Sequence, residues 1–374
     1  SWWVSLRSNH PTDYGRIMRT VLFVIASLEY SGAARQLSLL AAGLPRDSFH
    51  VRVVVLGTES PWATSLRSQG VEVEILGWRR PFDVLPFVAL QRLVRSTQPD
   101  VLHVWGATAL RAVVLTGSRA ATLLVSRVLS FAHRTSRLDR WLLTRARGVI
   151  AFGEAEAERY RQLGVSGTSI TVVSPGMPVP SGVVKPAELP GVTANDRVLL
   201  GLGPIEQHKG FREAVWTFDI LRHLYDDVHL VLAGDGPDRP RVEQFVRQIG
   251  VRNYVHFTGV CAETASLLHR ADMVWVPSLR GSGVCATLEA MAAGRPVVAS
   301  RLPDLAEIVV DGETGFLVEP NNKAALARQT RLLLNDPLRR QRMGEAGRRR
   351  VGELFSVNGL VEACARRYAG ERSL

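Results

Sequence analysis

The sequence contains few cysteines. Cys261, Cys285 and Cys364 are far apart in the chain and odd in number, so they indicate neither a disulfide framework nor a zinc site. A chain that does without disulfides fits a reducing compartment, and we therefore expect a cytoplasmic protein.

Long apolar runs and the common catalytic motifs are also missing. No apolar run approaches the roughly 18–20 residues that a transmembrane helix needs. We find no nucleophile elbow of the G-x-S-x-G type, no P-loop, no H-E-x-x-H pair and no convincing zinc spacing. The sequence therefore offers neither an evident protein nucleophile nor a set of metal ligands.

Acidic residues are outnumbered by basic ones: 35 Asp and Glu face 46 Lys and Arg, for a net charge of +11. Such an excess attracts partners that carry phosphate, such as nucleotides, nucleic acids or anionic lipids. The aromatic residues are not interleaved with the basic runs as a stacking platform for single-stranded nucleic acid requires. We therefore expect no nucleic-acid partner.

What the chain does contain is an alternation of apolar strands and amphipathic helices, which occurs twice and predicts two doubly wound α/β domains. In the first half the strand candidates are 20–26, 50–56, 71–76, 100–105, 121–128, 148–152 and 170–173. In the second half they are 197–201, 228–233, 255–257, 273–276, 296–299 and 315–318. The predicted divisions are an N-terminal extension (1–17), a first domain (18–177), a Pro- and Gly-rich linker (178–196), a second domain (197–355) and a C-terminal helix (356–374).

The most informative stretch is 277–300. A buried strand at 271–276 is followed by a small-residue loop containing Gly281 and Gly283, and then by a helical pattern at 287–293. A glycine loop before a helix start is suited to bind an anion. Glu289, which the pattern places in the first turn, can accept hydrogen bonds from two neighbouring hydroxyls; the alternative is that it only compensates the helix dipole.

Three further positions are candidates at the carboxyl ends of predicted strands, where open α/β sheets bind ligands. Lys209 could meet a diphosphate as a point charge, or be a solvated residue at a helix start. Gly32 would let a phosphate or sugar approach the backbone, or simply form a tight turn. His103 could touch substrate, or be a histidine satisfied in the core.

Two glycine pairs after strands fail the dinucleotide fingerprint. The fingerprint needs a further Gly or Ala three residues after the second glycine, and those positions hold Glu206 and Arg239. A nicotinamide or flavin cofactor therefore has no support, and we expect no cofactor.

The block 127–147 carries six arginines against one acid, Asp139, with apolar residues interleaved. This composition is typical of a basic amphipathic surface that contacts an anionic membrane, which for a cytoplasmic protein is peripheral contact at the inner face of the membrane. The alternative is an ordinary solvated helix with a buried apolar stripe. The Arg-rich segment 339–350 is a second candidate for membrane contact.

Taken together, the motifs resemble those of the nucleotide-sugar-dependent glycosyltransferases of family 4, and the resemblance extends from Arg19 to about Phe355. The matching segments, in the family's order and spacing, are 25–36, 99–106, 203–210, 232–237, 255–260, 271–278, 288–294, 296–298 and 311–318 with Glu307. Each motif alone is weak, and their order makes the set specific.

The resemblance implies a GT-B fold, in which two Rossmann-like domains face each other across a cleft. It implies transfer of a sugar from a UDP- or GDP-sugar to a glycan or lipid-linked acceptor, with retention and without a metal ion. By position, Glu289 would hold the ribose hydroxyls and Lys209 the diphosphate. Further donor contacts would come from Gly32 in the first domain and from the backbone of Gly283, Val284, Cys285 and Ala286.

Three positions depart from the family pattern. Gly281 stands where the family has a glutamate that orients the donor sugar, Pro204 where it has an arginine, and Trp105 where it has a second histidine. Loss of one charge-stabilising side chain can cost on the order of 10²–10³ in rate. Either Arg280 or Arg301 compensates, or donor preference is altered, or catalysis is weak. The alternatives are therefore a weak or inactive nucleotide-binding relative and a nucleotide-sugar epimerase.

Overall fold

The structure is a computed structural model that describes residues 18–29, 31–78, 84–117, 122–127, 137–165, 169–261, 264–281 and 283–370. The predicted N-terminal extension lies outside the described residues, as does 128–136 of the basic block. The chain divides into two compact units, one made of Ser1–Gly176 with Val357–Leu374 and the other of Met177–Ser356.

The first unit alternates strands and helices as the sequence predicts. Its strands are β1 (Arg19–Ile25), β2 (Phe49–Val55), β3 (Glu72–Ile75), β4 (Val101–Trp105), β5 (Thr122–Ser126), β6 (Gly148–Ala151) and β7 (Ile170–Val172). Its helices are α1 (Gly32–Gly43), α2 (Pro61–Ser68), α3 (Val84–Thr97), α4 (Ala107–Leu115), α5 (Arg137–Leu143) and α6 (Glu154–Gln162), and the C-terminal α14 (Val357–Ala369) joins them.

The first sheet is parallel throughout the described residues, in the order β3-β2-β1-β4-β5-β6-β7. Side chains of β1 alternate between two cores: Val21 and Phe23 pack with α1 and α14, and Leu22 and Val24 pack with α3 and α4. Both faces are therefore covered, which explains why the strands are near-continuous apolar runs.

The second unit repeats this plan. Its strands are β8 (Arg197–Leu202), β9 (Val228–Ala233), β10 (Val255–Gly259), β11 (Met273–Val276), β12 (Val297–Ser300) and β13 (Gly315–Val318). Its helices are α7 (Phe211–Arg222), α8 (Arg239–Gln248), α9 (Ala265–Arg270), α10 (Val284–Ala292), α11 (Pro303–Ala306), α12 (Lys323–Asn335) and α13 (Pro337–Leu354).

The second sheet has the parallel order β10-β9-β8-β11-β12-β13. The order reverses between β8 and β11, and α7 and α10, which follow these two strands, pack on opposite faces of the sheet. Two loops that leave neighbouring strands in opposite directions open a crevice at the carboxyl edge of the sheet. The doubly wound fold predicted for each half of the chain is confirmed.

Residues 178–196 form no helix or strand, but they are not a free tether. Val179, Leu189 and Val192 pack in the core of the second unit, and the amide of Ala187 donates to the carbonyl of Ser266 at 3.0 Å. Proline and glycine content predicts an irregular segment correctly, whereas the burial of its apolar side chains makes it part of the second unit.

The C-terminal helix α14 packs in the core of the first unit, where Leu360 and Tyr368 are buried. Gln36 on α1 holds the point where the chain leaves this unit: its side-chain amide donates to the carbonyl of Gly176 at 2.7 Å and accepts from the amide of Gly176 at 2.8 Å. Within the described residues, no helix has the length and apolarity to cross a lipid bilayer.

Candidate functional site

Lys209 lies on a short 3₁₀ turn, Gln207–Lys209, between β8 and α7. The turn ends at Gly210, whose φ of 73° is in the left-handed region that favours glycine. A Cβ atom at this position would overlap the carbonyl oxygen of Pro277, the first residue after β11. Gly210 therefore lets the Lys209 turn lie directly against the loop that follows β11.

A hydrogen bond joins the same two loops. The amide of Leu279 donates to the carbonyl of His208 at 2.8 Å. Because the loop after β11 leads into α10, this bond places the Lys209 turn beside the segment that starts the Glu289 helix. The structure thus brings together the two parts of the second unit that the sequence singles out.

Helix α10 begins earlier than the sequence predicts. Its N-cap is Gly283, and Val284, Cys285 and Ala286 form the first turn. Gly283 is buried, and a Cβ there would overlap a methyl group of Val276, so the close approach of loop and strand requires glycine.

Glu289 consequently lies in the second turn of α10 and not in the first, which corrects the sequence-based placement. Helix-dipole effects fall off within the first turn, so compensation of the dipole does not explain this glutamate. Its Oε2 accepts a hydrogen bond from the Thr264 hydroxyl at 2.8 Å, and the side chain is half-buried. A carboxylate held in this way is oriented to accept further hydrogen bonds from hydroxyl groups.

The loops around Lys209 are electropositive. Burial lowers the pKa of His208, and the positive charge of Lys209 lowers it further. The charge of Glu206 acts against this, and Arg280 adds the smallest lowering effect. Glu206 Oε2 lies 3.1 Å from His208 Nδ1. Arg280 is exposed, so its guanidinium adds positive charge where a ligand can meet it.

Arg301, the other arginine considered as a compensating residue, is differently placed. It forms an ion pair with Asp311, lies 3.5 Å from Glu319 and donates to the carbonyl of Leu317 at 3.2 Å. These contacts neutralise its charge and tie β12 to β13. Arg280 is therefore the better candidate for replacing the missing family arginine.

Two departures from the family pattern have a structural basis. Gly281 has a φ of 86°, a left-handed conformation that a glutamate would adopt only with strain. Pro204 lies between two backbone hydrogen bonds, because the amide of Gly203 donates to the carbonyl of Ala233 at 2.9 Å and the amide of Ile205 donates to the carbonyl of Asp235 at 2.9 Å. The backbone at Gly281 therefore suits glycine, and the loop that carries Pro204 is held on both sides of it.

The glycine pairs that fail the dinucleotide fingerprint serve close packing between neighbouring loops. Cβ atoms at Gly234 and Gly236 would overlap the carbonyl oxygens of Gly203 and Ile205, respectively. Glycine is found at these positions because two backbone segments touch there.

Gly32 belongs to the first unit, where it is the first residue of α1. The preceding Ser31 caps the helix: its hydroxyl accepts from the amide of Ala34 at 3.2 Å. The first unit thus has a helix start after β1, as the sequence predicts, and contact of Gly32 with a donor stays a prediction.

His103 is a core residue, and its predicted contact with substrate is not supported. The side chain is fully buried, with Nδ1 2.6 Å from the Tyr368 hydroxyl and Nε2 2.8 Å from the Ser126 hydroxyl. Burial lowers its pKa to about 3, so the ring is neutral at physiological pH. The satisfied core histidine is the alternative that the structure favours, and we remove His103 from the candidate catalytic residues.

Sequence reasoning missed Thr264 and His208. Thr264 contacts Glu289 from a distant part of the chain, and no local pattern signals such a pair. His208 adjoins Lys209, and the signal available was its place between a strand and a helix start. No group of three or more His, Cys, Asp or Glu side chains that could hold a metal ion occurs in the part of the chain that the structure describes.

Two family models match the chain in succession. The model described as Glycosyltransferase Family 4 matches residues 30–179. The model described as Glycosyl transferases group 1 matches residues 190–350, which include Lys209, the loop after β11 and Glu289.

Two curated proteins illustrate the sequence similarity. Glycogen synthase of Mycobacterium tuberculosis is 29% identical over 245 residues, which are 64% of this chain and 58% of that protein. The lipopolysaccharide core biosynthesis glycosyltransferase LpsD of Rhizobium meliloti is 25% identical over 276 residues, 73% of this chain and 76% of that protein. The match to the glycogen synthase therefore spans little more than half of its length.

The fold is similar to that of HepE (Alr3699) from Anabaena, whose structure was solved in complex with UDP and glucose. The TM-score is 0.80 at 20% sequence identity, over 93% of this chain and 99% of that chain. The predicted GT-B fold, with two Rossmann-like units in one chain, is confirmed.

Proposed function

This chain belongs to glycosyltransferase family 4, and on that premise we propose that it transfers a hexose from a UDP- or GDP-sugar to a glycan or lipid-linked acceptor, with retention of anomeric configuration. The observation that carries the proposal is the junction of two loops at the carboxyl edge of the second sheet. There the Lys209 turn is hydrogen-bonded to the loop that leads into α10.

The reaction requires that negative charge on the leaving group be stabilised. As the bond from the sugar to the nucleoside diphosphate breaks, negative charge develops on the diphosphate, and groups placed beforehand to meet it lower the barrier. Lys209 and Arg280 bring two positive side chains to one place, and the N-terminal end of α10 adds the positive end of a helix dipole. These groups supply the charge that a divalent cation supplies in other transferases, so the proposed reaction is metal-independent.

Glu289 would bind the ribose of the donor. A carboxylate can accept hydrogen bonds from both hydroxyls of a ribose, and the Thr264 hydroxyl holds this carboxylate through Oε2. Val284, Cys285 and Ala286 would contribute backbone amides to the diphosphate, and Gly32 would approach it from the first unit. Burial of Gly283 against Val276 fixes the start of the helix that carries these groups.

Among nucleotides we favour UDP, because the structurally similar HepE was crystallised with UDP and glucose. We place the transfer in the cytoplasm, because three dispersed cysteines indicate no disulfide framework. The LpsD similarity supports a saccharide acceptor, free or carried on a lipid.

A second candidate function is binding of nucleotide without efficient catalysis. Pro204 and Gly281 supply no charged side chain where the family has an arginine and a glutamate, and the backbone at Gly281 is adapted to glycine. A protein of this kind would bind UDP tightly without transferring sugar or hydrolysing the donor.

The test is a thermal-shift panel of UDP-, GDP- and ADP-sugars, followed by a transfer assay with the donor that stabilises the protein. Stabilisation depends on ligand concentration relative to the dissociation constant, so a selective increase in melting temperature identifies the donor. Transfer from that donor supports the enzyme. Calorimetric UDP binding with no turnover of any donor supports the binding protein, and no binding at all refutes both.

A further inference from the structure

The first unit exposes an apolar patch within a field of arginines. Leu138 and Trp141 on α5 are 52% and 49% exposed, and Leu115 at the end of α4 is 72% exposed. We define the Trp141 surface by six exposed residues, namely Leu115, Arg137, Leu138, Arg140, Trp141 and Arg145. Side chains of this size are normally buried, so a cluster of them at the surface indicates a partner.

A salt bridge joins the two helices that carry these residues. Arg111 on α4 forms a bidentate pair with Asp139 on α5, with both N–O distances 2.8 Å. Leu115 lies one turn beyond Arg111. Leu138 directly precedes Asp139, and Trp141 follows it by two residues. The inward side of α5 is formed by Leu142 and Leu143, which are buried in the core.

The charge of the Trp141 surface has one sign. Arg137, Arg140 and Arg145 are exposed, and none of them forms an ion pair within the described residues. Asp139 is buried and neutralised by Arg111, so α4 and the segment 137–147 show no exposed acid. The guanidinium of Arg145 lies 4.3 Å from the centre of the Trp141 ring, which keeps cation and aromatic ring together at the surface.

We propose that the Trp141 surface docks the protein on an anionic lipid bilayer. A tryptophan between leucines, surrounded by arginines, matches the boundary between acyl chains and anionic headgroups: the apolar side chains enter the boundary and the cations remain among the headgroups. The inference goes beyond the proposed glycosyl transfer and does not depend on it.

Two other occupants fit less well. Single-stranded nucleic acid is bound by stacking successive bases on several aromatic rings, and Trp141 is the single aromatic residue among the six that define this surface. A second copy of the chain would bring arginines against arginines. The Arg-rich segment 339–350 is also less suited to the membrane, because Arg340 pairs with Asp272 at 3.1 Å and Arg348 and Arg350 donate to backbone carbonyls at 2.6 and 2.8 Å.

The chain contains a matched control. Trp216 on α7 is also 49% exposed and also has a cation over its ring, Lys323 at 5.3 Å. It differs in its surroundings, since Glu213 and Asp219 lie on the same helix within one turn. A Trp216→Ala variant therefore removes an equally exposed indole from a surface of mixed charge.

The experiment is flotation of the full chain with vesicles of phosphatidylcholine alone or mixed with phosphatidylglycerol. We expect binding to the mixed vesicles only, weakening as salt is added. Trp141→Ala should lower the partition coefficient roughly tenfold, because binding follows the buried apolar area. Arg140→Gln with Arg145→Gln should lower it roughly 25-fold, at about fivefold for each cation. Trp216→Ala should bind as the unaltered chain does.

Several results would overturn the proposal. These are equal binding to both kinds of vesicle, no flotation, or equal loss in the Trp216 and Trp141 variants. Binding of single-stranded RNA that is lost in the arginine variant, with no vesicle binding, would assign the surface to nucleic acid. A dimer that dissociates in Trp141→Ala would assign it to a second copy. Unchanged melting temperatures verify that the variants fold, and since neither donor nor acceptor is present, failure here leaves the proposed transfer reaction untouched.

Discussion

The amide of Leu279 donates a 2.8 Å hydrogen bond to the carbonyl of His208, and this bond joins the loops after β11 and β8. The two strands are neighbours at the position where the order of the sheet reverses. The bond thereby holds together two segments that are far apart in sequence. One carries Lys209, and the other leads to Gly283 at the start of α10. The geometry of the candidate donor site depends on this contact between loops.

Gly210→Ala should disrupt the contact. The new Cβ would overlap the carbonyl oxygen of Pro277, and a backbone atom cannot yield as a flexible side chain can. Gly250→Ala is the control: its φ of 77° imposes similar strain, about 1 kcal/mol, with nothing within 4 Å of the new atom. We expect Gly210→Ala to lower the melting temperature more than the control does and to abolish stabilisation by UDP, both measured by thermal shift. Equal effects of the two substitutions would show that the contact does not shape the site.

Lys209→Ala should remove much of the positive charge that meets the diphosphate. We expect the transfer rate to fall on the order of 10²–10³, the effect of removing one group that stabilises developing charge. Lys185→Ala serves as the control, because Lys185 is exposed in the irregular segment before β8 and pairs with Glu188 at 2.7 Å. Steady-state kinetics with the identified donor measures both variants, and an unaffected rate in Lys209→Ala would remove Lys209 from the site.

Arg280→Ala and Arg301→Ala should affect different properties, donor binding in the first and stability in the second. Arg280 is exposed beside His208 and Lys209, so its loss should weaken donor binding and leave stability almost unchanged. Arg301 is paired with Asp311 and Glu319, so its loss should lower stability with little effect on the donor. Melting temperature and the UDP dissociation constant, measured for both variants, separate the two roles. If Arg301→Ala is the variant that weakens binding, the assignment of the compensating arginine is reversed.

Glu289→Gln should lose discrimination between ribose and deoxyribose. A hydrogen bond to a charged group is worth about 1.5–3 kcal/mol, so the unaltered chain should bind UDP about 10- to 100-fold more tightly than 2′-deoxy-UDP. In Glu289→Gln the two ligands should bind with more similar affinity, as calorimetry can measure. A preference for UDP that survives the substitution would mean that another group reads the 2′-hydroxyl.

The strands could be predicted from sequence because they are buried on both faces. The predicted bounds are confirmed for β9 (Val228–Ala233) and β11 (Met273–Val276). A continuous apolar run that stops at a loop residue marks both ends of a buried strand. The start of α10 was missed by three residues for a physical reason. Its N-cap is Gly283 and its first turn is Val-Cys-Ala, so neither a capping side chain nor an acidic first turn signals the start.

Contacts across the chain account for the other differences. His103 is the central residue of β4 and does not lie at the strand end, where the sequence places it. The return of α14 to the first unit brings Tyr368, 265 residues further along the chain, against its ring. The hydrogen bond from Thr264 to Glu289 and the packing of Leu189 in the second unit also join separate segments of the chain. The local sequence pattern predicts which helices and strands form. It does not predict which distant elements will pack against a given residue.

The burial of His103 predicts acid sensitivity of the first unit. Its pKa falls from 6.5 in the unfolded chain to about 3 in the folded one, because burial disfavours the charged ring. Above pH 6.5 the ring is neutral in both states and has no effect. Between 6.5 and 3 only the unfolded state takes up the proton, so stability decreases as pH falls, by at most about 1.4 kcal/mol per pH unit from this group.

His103→Gln tests this prediction, because glutamine does not titrate and can still bond to the Tyr368 and Ser126 hydroxyls that lie 2.6 and 2.8 Å from the histidine nitrogens. The variant should be less stable than the unaltered chain near neutral pH, since the amide fills the ring's space incompletely. As pH falls below 6.5 the difference between the two should shrink, because only the histidine chain gains a proton on unfolding. Urea denaturation followed by circular dichroism at a series of pH values measures the difference, and a gap that stays constant with pH would show that His103 is protonated alike in both states.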